Sequence, residues 1–428
     1  MRRIPVLAFG ILCLVAEIGS SRAVAAPPED LWSSRLLRNG DRVAFVGGTF
    51  VEREQRYGYL ETVLTIANPD SSIVFRNLGW SGDTIGGVSR SGFDPPEAGF
   101  KQLVDQVNAV KPTVIVLGYG ANEAFAGKAG LDAFVKGYER MIDALAPTKA
   151  RFVLLAPLKQ EKLAAPLPDP TKHNQDIAVY SKAIEELAKR RGIQFVTLDP
   201  FTDPDRSSAS DHLTDNGLHL TALGYWSLAK CFELKNQDKM TFSMKVTKPG
   251  GHPPSPVECT LNWPGANFMG TVSEVVTNPR EVRFTRRDRR LPFPPRPAAA
   301  SAHEKSVESP PRSMQVKGLE PGRYTLKIDG KPIATASDSD WMSGPETDQV
   351  EHLRQAIIRK NELFFHRWRP QNITYLFGFR KHEQGNNAVE IPRFDPLVAE
   401  MEQKIAVLKK PAAHVYELVR DKAKEGGR

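Results

Sequence analysis

The chain has 428 residues, of which 40% are hydrophobic, and a formal net charge of +8. That length supports a large hydrophobic core and more than one domain. The basic residues are scattered and accompany no recognition motif, so the charge does not mark a nucleic-acid binder.

Residues 1–25 read as a secretory signal peptide. Arg2 and Arg3 supply the charged start, Ile4 to Ala16 a short apolar run, and Ala23-Val24-Ala25 a small-residue cleavage site. The run is too short for a good membrane span, and no later stretch is long and apolar enough to cross a bilayer. Cys13 lacks the small preceding residue of a lipidated cysteine. The expectation is an exported protein, periplasmic or extracellular, with no transmembrane segment. Cleavage removes Arg2, Arg3, Arg22 and Glu17 and leaves a mature charge of +6. Cys231 and Cys259 remain. An oxidising compartment permits a disulfide between them, and two buried thiols fit equally. Two cysteines match no metal-ligand spacing, so no metal or cofactor is expected.

Residues 26–235 form the first expected domain. RVAFVG (42–47), SIVFRN (72–77), TVIVLG (113–118), RFVLLA (151–156) and IQFVT (193–197) are short β-branched runs, read as buried strands. Helical periodicity lies between them at Phe100–Val110, Leu131–Ala146 and Gln175–Arg191, and again at Ala222–Leu234. Alternation of this kind predicts a three-layer α/β/α domain on a parallel five-stranded sheet, with ligands at the carboxyl ends of the strands.

Residues 236–345 are expected to be a β-rich accessory region. MTFSMKV, MQVKGL, RYTLKIDG and KPIATAS read as short strands, with a turn at Glu320-Pro321-Gly322. Residues 286–312, rich in proline and arginine, read as a linker or long loop. Residues 346–428 are expected to be a helical extension, with helices at Thr347–Arg367 and from Pro396 to about Lys409.

Three of four motif segments follow predicted strands. VGGTF begins at Val46, NLGWSGDT at Asn77 and GYGANE at Gly118; DNGLHLTALGY begins at Asp215. Together they resemble the four blocks of the SGNH (GDSL-type) hydrolase family, over roughly residues 40–235. The resemblance implies a flavodoxin-like sheet and hydrolysis of carboxylic esters, carbohydrate O-acetyl groups among them. It puts Thr49 in the slot of the nucleophilic serine and Gly48 in that of the neighbouring aspartate. The Thr49 and Gly82 backbone N–H groups and the Asn122 side chain would hold the oxyanion. Asp83 and Thr84 would fix the second loop, Ser81 would support it, and Glu123 stands where aspartate is usual. His219 would be the general base. The acid that orients it is expected three residues earlier, where Asn216 stands, with Asp215 offset by one; an asparagine cannot stabilise the imidazolium, so the Asp215 carboxylate or a loop backbone carbonyl, the latter favoured, is expected to face the ring.

The extension resembles those of secreted planctomycete-type members. Its stretches from His366 to Asn372 and from Phe379 to Asn387 mix aromatic rings with planar polar groups. Arg367, Trp368 and Arg380, with Trp80 and Glu123, are candidate substrate contacts; a domain contact fixed by arginine is the other reading. The expected partner is a small-molecule or polysaccharide ester. A carbohydrate-binding or assembly module that has lost catalysis is the rival function, supported by Thr49 and Asn216. The sequence gives no oligomeric state.

Overall fold

A computed structural model describes residues 37–202, 212–234, 241–246, 257–264, 270–297, 312–337, 340–343 and 348–421. The signal-peptide expectation lies outside these residues.

Five strands, β1 (Arg42–Gly47), β2 (Val74–Asn77), β3 (Val114–Gly118), β4 (Arg151–Leu155) and β5 (Gln194–Val196), form a parallel sheet in the order β2-β1-β3-β4-β5. All pairings are parallel; Val43 faces Phe75 on one side and Val114 on the other. This is the doubly wound order of flavodoxin-like sheets, with its crossover at β1 and β3. The strands are near-continuous apolar runs because both faces are covered. One face packs against α3 (Pro96–Ala109), α4 (Gly127–Leu145) and α5 (Thr171–Arg191) through Leu103, Tyr138 and Ile184. The other packs against α2 (Tyr59–Ala67) and α6 (Ala222–Leu234) through Leu60, Tyr225 and Leu228. The helix α1 (Thr49–Tyr57) was not legible as a periodic run, because it buries Glu52 and Glu54 beside Val51. Gly58, at φ +66°, ends α1 and starts α2 at an angle.

The accessory region is larger and better packed than the sequence indicates. Strands β6 (Thr241–Val246), β7 (Glu258–Pro264), β10 (Arg312–Lys317) and β13 (Asp340–Ser343) form one antiparallel sheet, ordered β13-β10-β7-β6. Strands β8 (Thr271–Asn278), β9 (Glu281–Arg287), β11 (Tyr324–Ile328), β12 (Lys331–Ala336) and β14 (Ala413–Arg420) form a second, ordered β12-β11-β14-β9-β8. Cys259, Leu261 and Trp341 from the first meet Phe284, Leu326 and Leu418 from the second in one core. This is a β-sandwich. Cys259 is wholly buried in it and Cys231 lies on α6, so the two thiols are not bonded to each other. Burial pushes the Cys259 thiol up to about 12.

Two expectations change. The 286–312 linker is not free over its first third: Arg286 lies in β9, and Leu291 and Phe293 are buried. Proline removes backbone donors there, and apolar side chains fix the segment against the α/β unit, where the Pro294 carbonyl accepts from Trp226 Nε1 at 2.9 Å. Most of the remainder lies outside the described residues. The extension is not wholly helical either. After α7 (Asp348–Trp368), the short helices α8 (Ile373–Leu376) and α9 (Lys381–Gln384), and α10 (Phe394–Leu408), the chain ends its described course as β14, in the centre of the second sheet between β11 and β9.

The α7–α10 pair is built into the hydrolase-like unit. Val350, Leu353 and Ile357 join Ile66 and Leu291 in one cluster, and Leu363, Phe364 and Val398 enter the main core. Lys360 Nζ is buried against Glu61 Oε1 at 2.5 Å and donates to the Phe75 carbonyl at 3.1 Å. No helix among the described residues is long and apolar enough to cross a membrane.

Candidate active site

Strands β1, β2 and β3 each end in a motif loop, and steric necessity fixes those loops. A side chain at Gly47 would meet the Gly118 carbonyl oxygen at 2.5 Å, and one at Gly79 would meet Glu52 N at 2.2 Å. Glycine at these points lets the loops close over the strand ends. Thr49 opens α1 with Gly48 as its N-cap, so its N–H belongs to the first helical turn, whose donors have no intrahelical acceptor. Gly82 takes φ +73°, and its N–H donates to Thr49 Oγ1 at 3.0 Å. Asn122 Nδ2 donates one hydrogen to the Asp83 carbonyl at 3.1 Å and keeps a second for another acceptor.

Thr49, Asn122 and His219 line one cavity of about 130 Å³, with Gly48, Arg53, Gly120, Phe125, Lys159 and Tyr225. It opens at the carboxyl edge of the sheet. Thr49, Gly82 and Asn122 are therefore gathered by the ends of β1, β2 and β3, and His219 is brought over from a distant loop. No hydrogen bond joins the Thr49 hydroxyl to the His219 ring.

The histidine loop is held by a residue that no motif indicated. The buried Glu161 carboxylate accepts from Leu213 N at 3.3 Å, Thr214 N at 2.8 Å and Thr214 Oγ1 at 2.7 Å, while Glu161 N donates to the Gly217 carbonyl. The loop closes on itself through Asp215 N and the His219 carbonyl at 3.0 Å. Tyr225, one turn into α6, ties the loop's helix to α1 by donating to the Phe50 carbonyl at 2.7 Å.

Neither acceptor expected for His219 sits on its ring. Asn216 Oδ1 accepts from Leu218 N at 3.1 Å and His219 N at 2.9 Å. Those two bonds orient the amide and turn its NH₂ toward His219 Nδ1, 3.2 Å away. The Asp215 carboxylate is 3.9 Å from Nδ1 and pairs instead with Arg53 Nη2 at 3.0 Å. A donor at Nδ1 makes that nitrogen the acceptor and leaves the hydrogen of the neutral ring on Nε2.

The oxyanion loop is braced from below. The buried Asp83 carboxylate takes Arg90 Nε at 2.7 Å and the Tyr119 hydroxyl at 3.1 Å. Glu123 is a brace as well: its carboxylate accepts from Ile85 N at 2.7 Å and Gly120 N at 2.9 Å, and burial raises its pKa. Glu52 Oε2 accepts from Ser81 N at 2.5 Å and from Arg369 Nη1 at 2.8 Å, and the Arg369 guanidinium lies 3.5 Å from the Trp80 ring centroid. Trp368 meets the Trp80 ring edge-on at 6.0 Å. Arg367 pairs with Asp395, and Arg380 with Glu383 and Tyr375, away from the cavity. Of the five candidate substrate contacts only Glu123 lines it. Around Trp80 and Trp368 the extension makes a domain contact fixed by arginine.

A family model of the GDSL-like lipase/acylhydrolase family matches residues 40–226, the span that holds all four loops. Residues 40–226 belong to that family. The GDSL-like domain places the chain among hydrolases that act on ester bonds. Among solved structures, the chain is similar to a gut microbial diltiazem-metabolizing enzyme, at 14% identity and a TM-score of 0.63, covering 90% of this chain and 98% of that one. That likeness is one of fold, and it runs past the GDSL-like domain into the sandwich and extension. An acetylxylan esterase from Geobacillus stearothermophilus matches at 17% identity over 46% of this chain and 94% of its own, with a TM-score of 0.35. A lipolytic protein of the G-D-S-L family from Desulfitobacterium hafniense matches at 16% identity over 45% of this chain and 97% of its own, with a TM-score of 0.32. No curated protein matches the sequence.

Proposed function

We propose that the protein is an exported carboxylic-ester hydrolase in which Thr49 attacks the acyl carbon, and that it turns over slowly as it stands. The observation that carries this reading is the Gly82 N–H resting on Thr49 Oγ1 at 3.0 Å, inside a cavity shared by Asn122 and His219. An oxyanion donor within reach of the nucleophile's oxygen lies close to where the carbonyl oxygen must develop charge. On attack, the Thr49 hydroxyl proton passes to His219. The Gly82 N–H moves from Oγ1 to the new oxyanion, joined by the Thr49 N–H and the spare Asn122 hydrogen. As the oxyanion collapses, the ester C–O bond breaks and the alcohol leaves with the proton held by His219; water activated at the same histidine then hydrolyses the acyl-threonine, releasing the acid and restoring the Thr49 hydroxyl.

Slowness follows from Asn216. To accept the proton at Nε2 the ring must carry its other hydrogen on Nδ1, where it meets the Asn216 NH₂ and no acceptor. Exchanging the triad aspartate for asparagine in a serine protease costs about 10⁴ in kcat for this reason. A carbohydrate O-acetyl ester is the first substrate to test, and export rests on the charged, apolar and small-residue segments of residues 1–25.

The same Asn216 contact favours the second reading, a binding module in which His219 only donates through Nε2. An ester-hydrolysis assay of the mature protein beside His219→Ala and Thr49→Val separates the two. Hydrolysis lost in both variants supports the esterase; hydrolysis unchanged in both leaves the binding module.

A further inference from the structure

Arg53 lies one helical turn beyond Thr49, so both side chains project from the same face of α1, and both line the cavity. Its guanidinium is under-used. One nitrogen pairs with Asp215 at 3.0 Å, a carboxylate that is 49% exposed, while Arg53 Nε–H is buried without an acceptor. The Arg53 side chain itself keeps 18% of its surface exposed. Arginine has five N–H donors in a planar fork matched to a carboxylate, and this site fills few of them.

Among the charged residues that line the cavity, the acids are more fully committed than the cations. Its two acids are committed: Asp83 is buried on Arg90, and Glu123 is held by two backbone N–H groups. Its cations keep donors free, Arg53 as described and Lys159 with 55% of its side chain exposed and only a 3.4 Å approach to Asp199. A cavity that hides its acids and presents its cations attracts an anion.

We propose that Arg53, assisted by Lys159, selects esters that carry a carboxylate beside the scissile bond. This deepens the esterase reading and rests on it for the reaction, though the anion subsite is measurable by binding alone. The carboxylate can sit on the acyl side, as in a half-ester of a dicarboxylic acid, or on the alcohol side, as in an O-acetylated acidic sugar. Two substrate pairs distinguish these sources: the mono-4-nitrophenyl ester of glutaric acid against 4-nitrophenyl butyrate, and O-acetylated galacturonate oligomers against O-acetylated xylo-oligomers.

The carboxylated member of at least one pair should show kcat/KM at least about ten-fold higher, mainly through KM, with the advantage shrinking as salt rises. Arg53→Gln should erase that ratio and Arg53→Lys should restore part of it. Equal rates within both pairs, or a preference that survives Arg53→Gln, would overturn the proposal. Calorimetric titration with glutarate keeps the outcome separate from that of the esterase reading. Glutarate should bind His219→Ala as it binds the wild type and fail to bind Arg53→Gln. Binding indifferent to Arg53→Gln overturns the anion subsite even if esters are hydrolysed; Arg53-dependent binding upholds it even if none is.

Discussion

The Asn216 side chain does two jobs with its two ends. Its oxygen caps the Leu218 and His219 N–H groups, and its nitrogen faces His219 Nδ1 at 3.2 Å. An aspartate could keep the first job and reverse the second, because a carboxylate accepts at both oxygens. Asn216→Asp should therefore raise kcat by about 100-fold or more, inside the roughly 10⁴ attached to that exchange elsewhere, with little change in KM. Steady-state kinetics on a neutral ester decide it; an unchanged kcat means that His219 never carries the proton. At Thr49 the hydroxyl has to turn from Gly82 toward an acyl carbon, and the β-methyl restricts that rotation. Thr49→Ser should match or exceed the wild-type rate, whereas Thr49→Val, of nearly the same shape, should abolish it. A mass increase of one acyl group on the peptide containing residue 49, trapped by acid quench, would identify the attacking residue directly.

The oxyanion loop depends on an element some 290 residues away in sequence. Glu52 leaves α1 to hold Ser81 N, and Arg369, just beyond α7, holds Glu52 while stacking on Trp80. The loop thus sits between the helix that carries Thr49 and the extension. Arg369→Gln removes the charge from both contacts and should lower kcat by about ten-fold with KM nearly constant, since a loosened Gly82 N–H matters most in the transition state. Arg369→Lys should recover the ion pair but little of the flat stacking on Trp80. A variant with unchanged kcat and a lowered melting temperature would instead assign Arg369 a purely structural part.

The three regions of the chain fold as mutually dependent parts. The α7–α10 helices close the core of the GDSL-like domain, and β14 completes the middle of a sandwich sheet. Removing residues 348–428 would unpair β11 and β9 and expose Ile66 and Leu291, so the truncated chain should show no cooperative thermal transition. A melting curve for the 26–347 fragment that resembles the full-length one would contradict this. The buried Glu54 gives the molecule a pH signature. Burial lifts its pKa from the ordinary 4.5 to about 8. Between those values the folded protein keeps a proton that the unfolded chain has released, so stability falls as pH rises across that window, by up to about 1.4 kcal/mol per unit. Urea unfolding at pH 5 and pH 8 should show a loss for the wild type and a smaller one for Glu54→Gln, whose amide oxygen can still accept from Leu60 N.

The five parallel strands, α3 to α6 and the four site loops are readable from the sequence because local forces set them: β-branched runs, helical periodicity, and glycines where two backbones touch. The candidate roles of Thr49, Gly82, Asn122 and His219 come from the resemblance of those loops to the family's blocks. What faces each of them does not. Whether Asn216 offers His219 its oxygen or its nitrogen depends on two backbone N–H groups that claim the oxygen first. Asp215 is turned aside by Arg53 from another helix. The anchoring of the histidine loop on Glu161, the bracing by Arg369 and the return of β14 into the sandwich join residues from tens to hundreds of positions apart. Local sequence carries no mark of such pairings; burial and hydrogen-bond satisfaction in the assembled core select them.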